Sequence, residues 1–173
     1  MDSETLQLKF MALQNGDIVA FEEIYTHLKV PMYTIILRIT RDWSLSEDIL
    51  QEVFLKLYQS PPTSPIRNPR AYLFQMARNL AIDNVRKLPQ YADLESVENI
   101  VYSPAYDFST KMDIEDAIKT LTLQENQIVS LHINGGFKFR EIAEIMDMPL
   151  GTVLWKNRKA MKHLRSILSG GAI

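Results

Sequence analysis

Apolar residues recur at helical spacing along most of the chain, and nowhere do they alternate with polar ones for long enough to make a strand. Phe21, Ile24, Tyr25 and Leu28 fall at i, i+3, i+4 and i+7, and Met32, Ile35, Ile36 and Ile39 continue at the same spacing. Leu45, Ile49, Val53 (or Phe54) and Leu57 form a third stripe. Ser44 or Ser46 is available to cap it, and Glu47 and Asp48 suit the positive end of its dipole. Leu73, Met76, Ala77 and Leu80 mark a fourth, within Arg70 to Lys87. Such a chain buries its stripes by packing helix on helix, so the expected fold is all-α.

Two breaks divide the pattern. Ser60-Pro61-Pro62-Thr63-Ser64-Pro65, followed by Asn68-Pro69, must be a loop, because proline removes a donor and fixes φ. Leu88 to Thr110 holds Pro89 and Pro104, with Asp93, Glu95, Glu98 and Asp107 and no Lys or Arg. It reads as a linker. Tyr91, Ile100, Val101, Tyr102, Tyr106 and Phe108 make it too apolar for a solvated tether, so it is expected to lie against something. Beyond it come a stripe of Ile114, Ala117, Ile118 and Leu121, then helices over Leu123–Ile133, Phe139–Met146 and Leu150–Leu168. Asn134-Gly135-Gly136 and Asp147-Met148-Pro149 are the turns between the last three. Two helical domains are expected, at 6–88 and 111–169, joined by a linker at 89–110.

Composition removes several functional classes. There is no cysteine, which excludes disulfides and Cys-based zinc sites. His27, His132 and His163 are far apart, and no Gly-rich phosphate loop is present. No metal, cofactor or catalytic residue is therefore expected. The N-terminus does not read as a signal peptide, and the apolar run at 31–39 is stopped by Arg38 and Arg41. The expected location is cytoplasmic, without membrane insertion. The net charge of −2 argues weakly against nucleic-acid binding, but the charges are segregated along the chain.

Residues 137–165 carry the most specific pattern. Glu141-Ile142-Ala143 places a small residue where two helices must cross closely, between Ile142, Ile145 and Met146 for the core. A tight turn follows, then Gly151-Thr152-Val153 and a helix whose Val153, Ala160 and Leu164 pack back. Its other face carries Lys156, Arg158, Lys159, Lys162 and Arg165, and no acid occurs after Asp147. This is the arrangement of a helix-turn-helix, with cations placed for phosphates.

That segment resembles region 4 of bacterial sigma factors, which reads the −35 promoter element. The N-terminal half resembles region 2 of the same family. Ser46-Glu47-Asp48-Ile49-Leu50-Gln51-Glu52-Val53-Phe54-Leu55-Lys56-Leu57 is similar to region 2.2, and residues 68–83, from Asn68-Pro69-Arg70 to Ile82-Asp83, are similar to regions 2.3 and 2.4. Gly16-Asp17 with Ala20-Phe21-Glu22-Glu23-Ile24-Tyr25 resembles the opening helix. The larger regions 1.1 and 3 have no room, which points to the extracytoplasmic-function group of the sigma-70 family.

The resemblance implies a non-enzymatic factor that binds core RNA polymerase and directs it to promoters. Asp48, Gln51, Glu52 and Leu55 are the implied contacts to the β′ clamp helices, with the β subunit and an anti-sigma factor as further partners. Arg67, Arg70, Tyr72, Arg78, Asn79 and Arg86 are the implied −10 contacts, the Ser60–Asn68 loop forming a pocket for a flipped-out base. Thr152, Lys156, Arg158, Lys159 and Lys162 are the implied −35 contacts. The pattern departs from the family at Leu154 and Trp155, where Arg or Lys and then a small polar residue are usual. Asp147 stands where Gly is common. The alternative is a helix-turn-helix regulator acting without polymerase, which leaves the 46–57 helix without a role.

Overall fold

A computed structural model describes residues 1–87 and 114–169, so the expected linker at 89–110 lies outside the described residues. The described residues form eight helices and no strand: α1 (Ser3–Gln14), α2 (Ile18–Thr40), α3 (Trp43–Gln59), α4 (Pro69–Arg86), α5 (Ile114–Lys119), α6 (Leu123–Ile133), α7 (Phe139–Met146) and α8 (Leu150–Leu168).

Helix α1 is not among the expected elements. Asp2 caps it by accepting from the Thr5 N–H at 2.8 Å, and it buries Leu6, Phe10 and Leu13. The two stripes of 21–28 and 32–39 lie on one continuous helix, α2, which runs through Pro31. It ends at Arg41, a left-handed residue with φ 55°. The cap of α3 is Asp42, not Ser44 or Ser46. Its carboxylate accepts from the Leu45 N–H at 2.8 Å. Ser46 is buried instead, its hydroxyl 2.6 Å from that of Thr40. Asn68 caps α4 through the Ala71 N–H, with Pro69 at the first helical position.

Helix α2 is the centre of the molecule and packs against α1, α3, α4 and α6. The two halves share one apolar core, running from Leu6 and Phe10 through Ile36 and Phe74 to Phe137, Ile142 and Val153. Helix α4 packs on α7, and the Phe74 and Phe137 rings meet edge to face with centroids 4.7 Å apart. A smaller cluster of Ala117, Ile118, Leu121, Val129, Ala160 and Leu164 joins α5, α6 and α8.

Helix α6 begins with a capping box, in which the Glu125 N–H donates to the Thr122 hydroxyl and the Thr122 N–H to the Glu125 carboxylate. Every residue from Leu123 to Leu131 is buried. Gly135 then passes so close to Leu131 and Phe137 that a Cβ there would stand 2.6 Å from the Leu131 carbonyl oxygen. Helix α7 ends at Asp147, in the left-handed region at φ 52°, and α8 follows.

Candidate functional site

Three surfaces carry the expected contacts. The first is a groove of about 770 Å³ between α2 and α3. Asp48, Gln51, Glu52 and Leu55 fall one turn apart on the outer face of α3 and line it, because Ile49, Val53 and Leu57 turn the opposite face into the core. Its floor is apolar and aromatic. Tyr25 and Phe54 lie with centroids 4.8 Å apart, and Phe21 and Tyr58 5.3 Å apart. Leu55 and Tyr58 are about half exposed, at 53% and 47%. Glu22, Asp48 and Glu52 rim the groove, and Lys56 pairs with Glu52 at 2.7 Å. The aromatic floor is shared, with Phe21 and Tyr25 from α2 and Phe54 and Tyr58 from α3. The region 2.2 resemblance reaches only Phe54 of the four, although Phe21 and Tyr25 stand in the first stripe.

The second surface is α8. Val153, Ala160 and Leu164 are buried, as the helix-turn-helix pattern requires, and Ile142, Ile145 and Met146 fill the core beneath α7. Arg158, Lys159 and Lys162 are exposed; Thr152 and Lys156 are half-buried. Lys159 is committed within the chain, its ammonium 3.0 Å from the buried Glu125 carboxylate. Burial alone would raise the Glu125 carboxyl. Hydrogen bonds from Lys159 and Thr122, with the Lys159 charge, outweigh it and hold the group below the usual carboxylate range.

The third surface, expected to read the −10 element, is divided. Arg67, Asn79 and Arg86 are exposed, with Arg86 4.0 Å from Asp83. Tyr72 is half-buried against the core. Arg70 and Arg78 point instead into the C-terminal half. The Arg70 guanidinium donates to the Gly135 carbonyl and lies over the Phe137 ring, 4.2 Å from its centroid. Burial pulls its pKa below the usual guanidinium range, opposed by the charge of Glu141. Arg78 is buried, and its Nε donates to Gln127 Oε1 at 2.9 Å. Asn68 adds a donor to Glu141 at 3.3 Å. Glu141 also caps α7, accepting from the Lys138 N–H at 2.7 Å. Among the described residues, Arg70 Nε and Gln127 Nε2 are buried without a hydrogen-bond partner. Each such atom costs about 1–3 kcal/mol, so this polar contact is a weak seal.

The Pro-rich loop between α3 and α4 is held from α1. Gln7 accepts from the Ile66 N–H at 3.0 Å, and Gln14 donates to the Pro62 carbonyl. Among the described residues, no group of acids and histidines is placed to hold a metal ion, and no helix is long and apolar enough to cross a membrane.

The family model for sigma-70 region 2 matches residues 24–89, and that for sigma-70 region 4 matches residues 111–164. Together they take in more than half of the chain. It is similar to the ECF RNA polymerase sigma factor SigK of Mycobacterium tuberculosis (strain ATCC 25618 / H37Rv), with 27% identity covering 96% of this chain and 95% of SigK. It is similar also to the ECF RNA polymerase sigma factor SigM of Bacillus subtilis (strain 168), with 27% identity covering 84% of this chain and 95% of SigM. In fold it resembles CnrH in complex with the cytosolic domain of CnrY, at a TM-score of 0.71 and 15% identity over 97% of this chain and 99% of that one. It likewise resembles the sigma factor RpoE in complex with the anti-sigma factor NepR from Bartonella quintana, at a TM-score of 0.64 and 19% identity over 87% and 99%. With region 2 and region 4 in the right order on an all-helical frame, the chain belongs to the sigma-70 family of RNA polymerase sigma factors, in its extracytoplasmic-function group.

Proposed function

We propose that this sigma factor docks on core RNA polymerase through the α2–α3 groove and directs it to promoters, reading the −10 element with α4 and its preceding loop and the −35 element with α8. The observation that carries this reading is the separation of two unlike surfaces on one chain. The groove is apolar with an acidic rim, which suits a helical protein partner of opposite charge such as the β′ clamp helices. Helix α8 is cationic on its outer face, which suits a phosphate backbone. The role is regulatory rather than catalytic.

Promoter reading also requires the two halves to part. Arg70 and Arg78 reach DNA only when α4 leaves α6 and α7, and the unpaired polar atoms at that contact offset part of the cost of opening the shared apolar core. An anti-sigma factor that holds the closed arrangement would keep both arginines covered. Complexes with CnrY and NepR are recorded for the two structural neighbours, which supports a partner of this kind.

In-vitro transcription with core enzyme on genomic fragments tests the proposal. Transcripts from defined start sites that depend on the added chain are expected. A chain that binds DNA but not core polymerase would instead be a simple helix-turn-helix regulator.

A further inference from the structure

Helix α8 carries a large apolar ring where a DNA-reading helix ordinarily carries polar groups. At about 100° per residue, Gly151, Trp155, Arg158 and Lys162 come out on the side opposite the buried seam of Val153, Ala160 and Leu164. Trp155 is therefore near the crest of the outward face, and it is 57% exposed. Leu154 beside it is 39% exposed. Gly151, one turn earlier on the same face, adds no side chain and has open space around it.

The surroundings of the ring are cationic. The ammonium groups of Lys156 and Lys159 each stand 5.7 Å from its centroid. Arg158 and Lys162 extend the charge along the same exposed face. An apolar plate flanked by cations fits a surface that is apolar at its middle and anionic at its edges. The major groove over a thymine is such a surface, with the C5-methyl group in the groove and phosphates on both walls. An indole has one donor and no acceptor, so it cannot make the paired hydrogen bonds by which arginine reads guanine.

We propose that Trp155 is a specificity-determining residue that packs on the C5-methyl group of a thymine in the upstream promoter element. Lys156 then meets a flanking phosphate, with Arg158 and Lys162 further along the same face, while Lys159 stays paired with Glu125. The inference rests on α8 being the −35 reader and deepens that reading.

The test uses holoenzyme, assembled from core polymerase and the full chain, on duplexes that it selects from a random-sequence pool. Each thymine of the upstream element is replaced in turn by uracil, which lacks only the methyl group. At one or two positions the wild-type holoenzyme should lose about fourfold in affinity, the factor expected for one methyl-sized contact. With Trp155→Ala the affinity for the thymine duplex should fall, and uracil should cause no further loss at that position, since the methyl group and the indole are then coupled. Trp155→Arg keeps the helix and adds charge, and should shift selection at that position toward guanine. Uracil that is neutral for the wild type, or equally harmful to wild type and Trp155→Ala, overturns the inference while leaving the −35 reading in place. A Trp155→Ala chain that loses core polymerase instead of DNA also overturns it, making the indole a protein contact. Holoenzyme that selects no upstream element at all sinks the broader reading.

Discussion

Arg78 Nε donates to Gln127 Oε1 across 2.9 Å, tying a helix of region 2 to a helix of region 4. If this contact helps to hold the closed form, its strength should set how readily the free chain takes single-stranded −10 DNA. Gln127→Glu turns a neutral acceptor into a charged one, and a hydrogen bond between charged groups is worth about 1.5–3 kcal/mol. We expect tighter closure, a higher melting temperature and roughly tenfold weaker oligonucleotide binding. Gln127→Leu should move both readouts the other way. Parallel rather than opposed changes in the two variants would show that the contact does not gate access.

Glu125 holds both the cap of α6 and a cation of the proposed −35 face. Its carboxyl is held below the usual range, so the ionised form is favoured in the folded state. That stabilisation is present above the ordinary carboxylate pKa and is lost as pH falls through the depressed folded value. Denaturant melts of Glu125→Gln should show a shallower loss of stability on acidification than the wild type. The same change releases Lys159, whose ammonium is 3.0 Å from Glu125, and should steepen the salt dependence of duplex binding by about one unit of slope.

Gly135 is required by space rather than by conformation. A Cβ there would lie 2.6 Å from the Leu131 carbonyl oxygen and 2.7 Å from Phe137 Cδ2. Gly135→Ala should therefore push Phe137 off Phe74 and destabilise the closed chain by about 1–3 kcal/mol, as overpacking does. Gly136 has φ 65° and open space around it. Gly136→Ala should cost only the left-handed strain, about 1–2 kcal/mol, without moving the aromatic pair. Near-ultraviolet circular dichroism separates the two.

Gln7 bonds the Ile66 N–H and so fixes the loop that precedes α4. Gln7→Leu should reduce promoter melting about fivefold, the worth of one ordinary hydrogen bond, while core binding is kept. Permanganate reactivity of the melted strand on a promoter gives the readout. Unchanged reactivity would mean that α1 does not position the loop.

Leu55 is exposed on the rim of the α2–α3 groove. Leu55→Asp should leave the melting temperature nearly unchanged, because surface substitutions fall within about 0.5 kcal/mol. Core polymerase binding should weaken by tenfold or more if this position is a desolvated anchor of the interface. Equal loss of fold and binding would remove Leu55 from the docking surface.

Much of this was legible in the residues. The stripes of α2, α3, α4, α7 and α8 are clear, and the turns carry proline, glycine or a left-handed residue (Arg41 or Asp147), so element type and order follow from local chemistry; α6, enclosed all round, has no such stripe. Helix α1 escaped because its stripe of Leu6, Phe10 and Leu13 is sparse, with Leu8 and Met11 exposed among the buried positions. The α3 cap went to Asp42 because Ser46 found buried partners instead. Asp48, Gln51, Glu52 and Leu55, grouped by the region 2.2 resemblance, do line one groove beside α3, because helical spacing puts them on one face. The partners of Arg70 and Arg78 were not legible, since they lie far along the chain and only tertiary packing brings them together.

Helix α6 is enclosed along Leu123–Leu131, yet four of those nine residues are amides or a hydroxyl: Gln124, Asn126, Gln127 and Ser130. A run of leucines in their place would weld the halves shut, because opening would expose bare hydrocarbon to water. Amides and hydroxyls lose far less on becoming wet, so if the halves part as proposed, the same segment would serve as interior when the chain is shut and as tolerable exterior when it is open. The composition of one short helix would thereby set how reversible that opening is.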